Sequence, residues 1–263
     1  MPRIAFTSFI SPSGRRFLIP DDIELRTPPN PGIDPSLLSA LVYIPWNDTY
    51  FDNIPTNYRG FFRSLLPDLS VRTTDVHVAV CMPFIAKLGQ RVTDKFDERV
   101  VSLALILHDI GWSRLSDREI ASSLGVTGLA LSSAASEPKE NHAKVGRIYA
   151  EKILATHQFD PPLTATQKSL ILDAVQFHDK PWELSHAAAV PPEVKLVCDV
   201  DHLWSFTHQN FWQDTVRKSV DPGEYLQNLA QDLNDYFITD QAKALAQSLL
   251  NQRKSEVESL PDQ

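Results

Sequence analysis

The stretch that decides the fold is LALILHDIGWS, residues 103–113, in which an apolar run ends in the doublet His108-Asp109. A run of this kind belongs in a protein core, and cores rarely contain an ionisable pair without a compensating partner. Local hydrogen bonds would satisfy the doublet in a structural interpretation, and a bound metal ion would satisfy it in a functional one. We expect Gly111 to end the helix just after the doublet.

Helical periodicity continues on both sides of this stretch. Capping-box patterns support helix starts at Ser116 and Thr164, where Glu119 and Gln167 follow three residues later. No convincing run of residues alternates in polarity as a strand does. The predicted fold class is therefore all-α, a helical bundle. Its predicted helices span 56–66, 71–88, 96–109, 117–124, 138–157, 165–178 and 192–206, with two or more between 222 and 258.

Proline divides the chain into a first segment and a helical body. Nine of the 19 prolines lie in residues 1–55, and proline removes backbone donors and breaks helices. We predict a proline-rich irregular arm at 1–55 with one short helix near 36–43, packed on the body through its aromatic residues. The all-α body is predicted at 56–250 and a polar tail at 251–263.

Composition argues against two classes of partner. The chain has 25 basic and 33 acidic residues, a net charge of −8, and no block of lysine and arginine, so a nucleic-acid polymer is not an expected partner. No apolar run reaches the roughly 18 residues of a membrane span, and the first residues lack a signal-peptide pattern. Cys81 and Cys198 lie in apolar surroundings, which is typical of reduced thiols and favours a cytoplasmic location. The oligomeric state stays open.

Imidazoles and carboxylates recur on the apolar faces of several predicted helices. His77, His142 and His178 each lie in line with apolar residues three or four positions away. Asp199 and Asp201 interrupt a further apolar helix in KLVCDVDHLWSF. Buried carboxylates are costly without a cation, and these side chains are ligands for Mn, Fe, Co, Ni or Zn. The sequence therefore predicts one or two divalent transition-metal ions in the core.

The order of these elements resembles the HD superfamily of helical, metal-dependent phosphohydrolases. His77, the His108-Asp109 doublet and a late aspartate follow in the family's order, and VDHL is similar to its Ala-Asp-x-Leu element. The resemblance covers about residues 70–206. NHAKVG and FHDKPW are similar to elements that supply further ligands in two-metal members. The implied metal ligands are His77, His108, Asp109, His142, His178 and Asp201, with Asp199 as an alternative ligand or a residue supporting the ligands.

The resemblance implies hydrolysis of a small phosphate ester or nucleotide by metal-activated water. Asp109 is then the catalytic residue, bridging two ions or orienting the water. The expected partner is a small molecule that carries phosphate. Five residues close in sequence to the ligands are candidates for contacts with it: Arg72, Lys144, Lys180, Trp112 and Trp182.

Two other functions stay open on the same residues. Four histidines and two aspartates also resemble the ligand set of HD-type mixed-valent diiron oxygenases such as myo-inositol oxygenase, which act on small polar substrates. A non-catalytic module that binds a metal or ligand is the second alternative. The chain lacks Gly-Tyr-Pro after HDKPW, has Trp112 where some branches have lysine, and has Val80 where the triphosphohydrolase branch expects arginine. None of these three branches is assigned, so the substrate is not determined.

Overall fold

The computed structural model describes residues 4–29, 32–90, 95–123, 136–187 and 189–261, and helices dominate these segments. The predicted all-α class is confirmed. Within these ranges no helix is both long and apolar enough to cross a membrane. The α-helices are α1 (Pro35–Ala40), α2 (Thr56–Leu69), α3 (Thr74–Gly89), α4 (Glu98–Leu107), α5 (Asp117–Ser122), α6 (Ser136–Thr156), α7 (Ala165–Phe177), α8 (Pro181–His186), α9 (Pro192–Leu203), α10 (His208–Arg217), α11 (Pro222–Asp232) and α12 (Asp240–Val257).

Helix α4 lies at the centre of the core. Its residues from Val100 to Leu107 are buried on every face, which explains why this stretch shows no polar side. Helices α3, α7 and α9 pack against α4, and α6 packs against α7 and against the 3-10 turn Ile110–Arg114. Because the doublet follows α4 directly, this packing places it where several helices meet.

Gly111 has a different role from the predicted one. Helix α4 ends at Leu107, and Gly111 lies inside the following 3-10 turn without a positive φ angle. A Cβ atom at Gly111 would lie 2.0 Å from the His142 carbonyl oxygen and 2.7 Å from the Gly146 nitrogen. Glycine is therefore required for the close approach of this turn to α6. The prediction that Gly111 ends the helix was wrong, because the helix already ends at Leu107.

The N-terminal arm contains strands that the sequence analysis did not predict. β1 (Phe6–Ile10) and β2 (Arg16–Pro20) form an antiparallel hairpin with Phe6 opposite Pro20. Strands this short do not show the sustained alternation that identifies a longer strand. The short helix predicted near 36–43 corresponds to α1. The arm contacts the body through aromatic rings. The ring centroids of Trp46 and Phe62, for example, are 5.4 Å apart.

Two helices were missed, and one extends beyond the predicted body. Helices α8 and α10 occupy segments without a predicted helix, and α12 continues to Val257 inside the segment assigned to the polar tail. Residues 1–3, 30–31 and 262–263 of the predicted arm and tail, and residue 124 of a predicted helix, lie outside the described residues. Much of the buried face of α10 is polar and includes Gln213 and Arg217, so its pattern resembles a surface segment.

Candidate metal centre

Asp109 lies between two groups of histidines. Its Oδ2 atom is 3.4 Å from His77 Nδ1 and 3.5 Å from His108 Nε2. Its Oδ1 atom is 3.3 Å from His142 Nε2 and 3.4 Å from His178 Nε2. The carboxylate therefore presents one oxygen to each pair of imidazoles, as a ligand shared by two ions would.

Asp201 completes the first group. Its Oδ1 atom is 3.2 Å from His77 Nε2 and 3.1 Å from His108 Nε2. His77, His108, Asp109 and Asp201 each offer one ligand atom, and these four atoms lie within 4.8 Å of one another. Asp109, His142 and His178 form a second group by the same measure. The structure thus brings all six predicted ligands into two adjoining groups, each of which could hold a metal ion.

Helix ends orient two of the histidines. His108 follows the last residue of α4, and its Nδ1 atom lies 2.7 Å from the Leu105 carbonyl oxygen. His178 follows α7 in the same way, with Nδ1 2.8 Å from the Val175 carbonyl oxygen. A carbonyl oxygen only accepts, so each Nδ1 carries the proton and each neutral ring keeps its lone pair on Nε2. The His108 lone pair has no hydrogen-bond partner among the described residues. The His178 Nε2 atom lies 3.0 Å from His142 Nε2, a hydrogen bond that an ion bound by both rings would replace.

Indole rings hold two further groups in place. The Trp112 ring stacks on His142 at 4.1 Å between centroids, and its Nε1–H donates to Asp109 Oδ1 at 2.9 Å. The Trp204 ring stacks on His77 at 4.9 Å. Trp112 is buried, so it supports the site from within the core and contacts the ligands without being one.

Charge in the centre favours a cation. Burial raises the pKa of Asp109 and of Asp201, but the surrounding imidazoles outweigh it and hold both pKa values well below the ordinary range. Burial lowers the pKa of His77, and the two carboxylates reverse this and raise the pKa to about 9. Both aspartates are therefore ionised at neutral pH, and a proton on His77 competes with a metal ion for the site.

Asp199 lies apart from both groups. Its carboxylate accepts hydrogen bonds from the backbone N–H of Ile238 at 2.7 Å and of Thr239 at 3.1 Å. Burial is the main influence on its pKa and raises it to about 6. Asp199 thus holds the chain that leads into α12. Asp201 lies two positions later on α9 and faces the histidines instead. Residues two positions apart on a helix point to nearly opposite sides of it.

The predicted substrate contacts divide into residues near a cavity and residues away from it. A cavity of about 590 Å³ opens beside the histidines, and its lining includes Arg72 and Lys180. Lys180 also pairs with Glu183 at 2.7 Å. Lys144 lies on an exposed face of α6, and Trp182 is 73% exposed. Arg72 is the candidate cation that connects most directly to the centre. It lies over the ring of Trp112, which in turn donates a hydrogen bond to Asp109.

Several lining residues were missed by sequence reasoning. Asn210 and Arg217 reach the cavity from α10, and Tyr236 reaches it from the segment after α11. Because the sequence does not predict α10, its side chains were not among the predicted site residues. His202 also lines the cavity, directly after the predicted ligand Asp201. Its position one residue after a ligand on an apolar helix was the available signal.

Comparison with known families agrees with this geometry. A family model described as HD domain matches residues 74–204, from the first residue of α3 to just beyond α9. All six predicted ligands lie within the match. No curated protein and no solved structure matches the chain.

Proposed function

Residues 74–204 of this chain form an HD domain, and on that premise we propose that the protein hydrolyses a small phosphate ester or nucleotide with the help of divalent metal ions. The observation that carries the proposal is Asp109, whose two oxygens face two separate pairs of histidines. Such an arrangement suits a pair of ions that share one carboxylate.

The buried nitrogen atoms fit this assignment. His77 Nε2, His108 Nε2 and His142 Nδ1 are buried and have no hydrogen-bond partner among the described residues. A buried polar atom without a partner costs about 1–3 kcal/mol. For His77 and His108, coordination of an ion by Nε2 would remove that cost.

The ligand roles follow from the two groups. His77, His108 and Asp201 would hold the first ion, and His142 and His178 the second, with Asp109 shared. Imidazole with carboxylate suits Mn, Fe, Co, Ni or Zn. When bound, such ions lower the pKa of a coordinated water toward neutrality and neutralise charge on a phosphate ester.

The protein itself keeps the centre in one geometry. The bonds from His108 and His178 to the carbonyl oxygens of their own helices prevent their rings from rotating. The Trp112 N–H holds Asp109 in the orientation in which it faces both histidine pairs. The indoles of Trp112 and Trp204 cover two of the imidazoles and limit the access of bulk water to them.

The position of Arg72 supports the proposal that the substrate carries phosphate. Its Cζ atom lies 4.1 Å from the centroid of the Trp112 ring, and its Nε atom is buried without a hydrogen-bond partner among the described residues. Arginine presents a planar set of donors that matches phosphate. A guanidinium held against an indole, with a donor unused, is therefore ready to bind an anion in the cavity.

The backbone is strained where it places the Arg72 side chain over the Trp112 ring. Arg72 and Thr73 are consecutive left-handed residues, with φ angles of 58° and 67°. Each costs on the order of 1–3 kcal/mol and persists only where its surroundings hold it. Gln213 donates to Thr73 Oγ1 at 2.7 Å, and Arg217 donates to the Arg72 carbonyl oxygen at 3.3 Å. Two buried side chains of α10 therefore maintain the conformation that presents Arg72.

The proposal is tested by phosphate release from a panel of phosphomonoesters and nucleotides, with Mn, Co or Ni added. We expect turnover by the wild-type protein and a loss of at least about 100-fold in Asp109→Asn, because the shared ligand is removed. Glu151→Gln makes the same carboxylate-to-amide change on an exposed part of α6 and should retain turnover. Metal content measured on the same samples should fall only in Asp109→Asn.

The same samples distinguish the other two functions. The indoles stacked on His77 and His142 also suit an HD-type diiron oxygenase. Two bound irons, oxygen uptake by the iron-loaded protein and no phosphate release would replace hydrolysis by that function. Metal binding without turnover in either assay would leave a metal-binding module.

A further inference from the structure

A third group of ligand atoms lies on the cavity side of Asp201. Asp179, Asp201 and His202 each offer one atom, and these atoms lie within 4.8 Å of one another. Asp179 and His202 belong to neither group that contains Asp109. All three residues line the cavity, so the group is open to solutes that reach the centre.

The orientation of His202 makes its Nε2 atom available. Its Nδ1 atom lies 2.7 Å from the Cys198 carbonyl oxygen, one helical turn earlier in α9. Nδ1 therefore carries the proton, and the neutral ring keeps a lone pair on Nε2. This is the device that orients His108 and His178. His202 is only 9% exposed, and its ring contacts that of Tyr236 edge-on at 5.4 Å.

Among the residues that the structure describes, none forms a hydrogen bond with the Nε2 atom of His202; the hydrogen bonds of this ring are on Nδ1. The nearest carboxylate oxygen is Asp179 Oδ1, at 3.7 Å, which is too long for a hydrogen bond. Two ligands at about 2.1 Å from one ion are about 3.0 Å apart at a right angle and about 4.2 Å apart on opposite sides. The separation of 3.7 Å falls between these limits and suits two ligands of a shared ion.

Asp201 connects this group to the metal centre. Its Oδ1 atom faces His77 and His108, and its Oδ2 atom lies beside the His202 ring, 3.8 Å from the protonated Nδ1. A carboxylate oxygen of Asp201 is also within 4.8 Å of the ligand atoms of Asp179 and His202. The carboxylate thus has one oxygen toward His77 and His108 and the other toward His202. A bridging carboxylate would hold a further cation close to the phosphate that the centre is proposed to bind.

We infer that Asp179, Asp201 and His202 form a third divalent-cation site, whose ion is exchangeable and whose remaining positions are filled by water or phosphate oxygens. The phosphate part of this inference rests on the proposed function. One imidazole and two carboxylates favour a metal such as Mn²⁺. The Asp179 side chain is 28% exposed, so this group is expected to bind an ion more weakly than the enclosed centre.

The test counts bound Mn²⁺. Metal-free protein is titrated with Mn²⁺, and free Mn²⁺ is measured by electron paramagnetic resonance at each step. We expect the wild-type protein to bind one Mn²⁺ ion with low affinity, called the weak class here, in addition to the ions that it binds more tightly. In Asp179→Asn and in His202→Gln this class should disappear or weaken by at least about tenfold, while the tighter ions remain.

Asp235→Asn is the matched control. Asp235 lines the same cavity but lies outside all three ligand groups, so its substitution removes an equal charge without removing a ligand. The weak class should persist in this variant. Circular dichroism of each variant in the presence of chelator shows whether the protein is folded, so that a lost ion is not mistaken for unfolding. If Asp179→Asn is unfolded, Asp179→Ser replaces it.

Each outcome either supports or overturns the inference. Loss in both ligand variants with retention in Asp235→Asn supports it. Absence of a weak class from the wild-type protein, its retention in the ligand variants, or equal loss in Asp235→Asn overturns it. Tight ions with hydrolysis but no weak class would leave the proposed function intact. A weak class without hydrolysis would overturn the proposed function and leave the third site.

Discussion

Asp109, Asp199 and Asp201 are stabilised by different partners. Asp109 and Asp201 face imidazoles, whereas Asp199 faces the backbone N–H groups of Ile238 and Thr239. Where a carboxylate faces imidazoles, a metal ion can replace the protons on the imidazoles and bind both kinds of side chain. A carboxylate that accepts from backbone N–H groups has its lone pairs occupied and acts on the fold.

Substitution of Asp199 and Asp201 should separate these two roles. Asp201→Ala is expected to lose metal and activity, because it removes a ligand of the first group. Asp199→Ala is expected to keep most of its metal and to lower the free energy of unfolding by about 1–3 kcal/mol, because the partly buried N–H groups of Ile238 and Thr239 lose their acceptor. Metal analysis and urea unfolding measure both effects. The reverse order would identify Asp199 as the ligand.

Arg72 should affect the binding of substrate more than that of metal. Arg72→Gln is expected to raise KM for a phosphomonoester and the inhibition constant for inorganic phosphate by about tenfold or more, since a charge-assisted contact contributes about 1.5–3 kcal/mol. Metal content should not change. The control is Arg63→Gln, because Arg63 also lies over an aromatic ring, that of Phe51, but is exposed and away from the cavity. Equal effects in both variants would contradict a specific role for Arg72.

At the scale of elements, the contact between the Ile110–Arg114 turn and α6 brings the two halves of the centre together. The turn carries Trp112 and follows Asp109, and α6 carries His142. The absence of a side chain at Gly111 allows the two backbones to approach so closely. This contact therefore determines the distance between Asp109 and the second pair of histidines.

Gly111→Ala should disrupt that distance. The added methyl group would lie 2.0 Å from the His142 carbonyl oxygen, so the turn and α6 must separate. We expect a loss of stability of several kcal/mol, beyond the roughly 1–3 kcal/mol of ordinary overpacking, together with loss of bound metal. Gly60→Ala, at a position in α2 with open space around it, should instead stabilise by about 0.5–1 kcal/mol. Thermal unfolding and metal analysis of both variants test this, and a Gly111→Ala protein with normal metal content would contradict it.

Elements also differ in how far the sequence predicts them. Helices with a continuous apolar face, such as α4 and α7, were predicted to within a few residues. Helix α10 was missed because its buried face includes Gln213 and Arg217, which bond to the Arg72–Thr73 turn and to Val42. A polar side chain that is buried for the sake of a distant partner is indistinguishable in sequence from one that faces water.

At the scale of the whole molecule, the proposed ligands join elements that are far apart in the chain. They come from α3, the end of α4, α6, the end of α7, and α9. An ion that binds only the folded state stabilises it by an amount that grows with its concentration relative to its dissociation constant. The metal centre is therefore expected to contribute to global stability as well as to activity.

Removal of metal should lower the unfolding temperature. For an ion at 100 times its dissociation constant the contribution is about 2.7 kcal/mol, which corresponds to a fall of about 5–10 °C for a chain of this size. Differential scanning calorimetry with and without EDTA measures the fall, and added Mn²⁺ should reverse it. Asp109→Asn should respond much less to EDTA. An unchanged unfolding temperature in metal-containing wild-type protein would contradict a ligand set drawn from five elements.

The sequence by itself determined the all-α class, the positions of most helices and the types of side chain available for a metal, because periodicity and composition are properties of each segment alone. Only the tertiary structure decided which residues meet. It placed the two oxygens of Asp109 between separate pairs of histidines, directed Asp199 toward α12, left Lys144 and Trp182 at the surface, and brought Gln213 and Arg217 to the strained turn at Arg72. These outcomes depend on the angles and distances at which helices pack, and those are set by contacts between residues far apart in the chain.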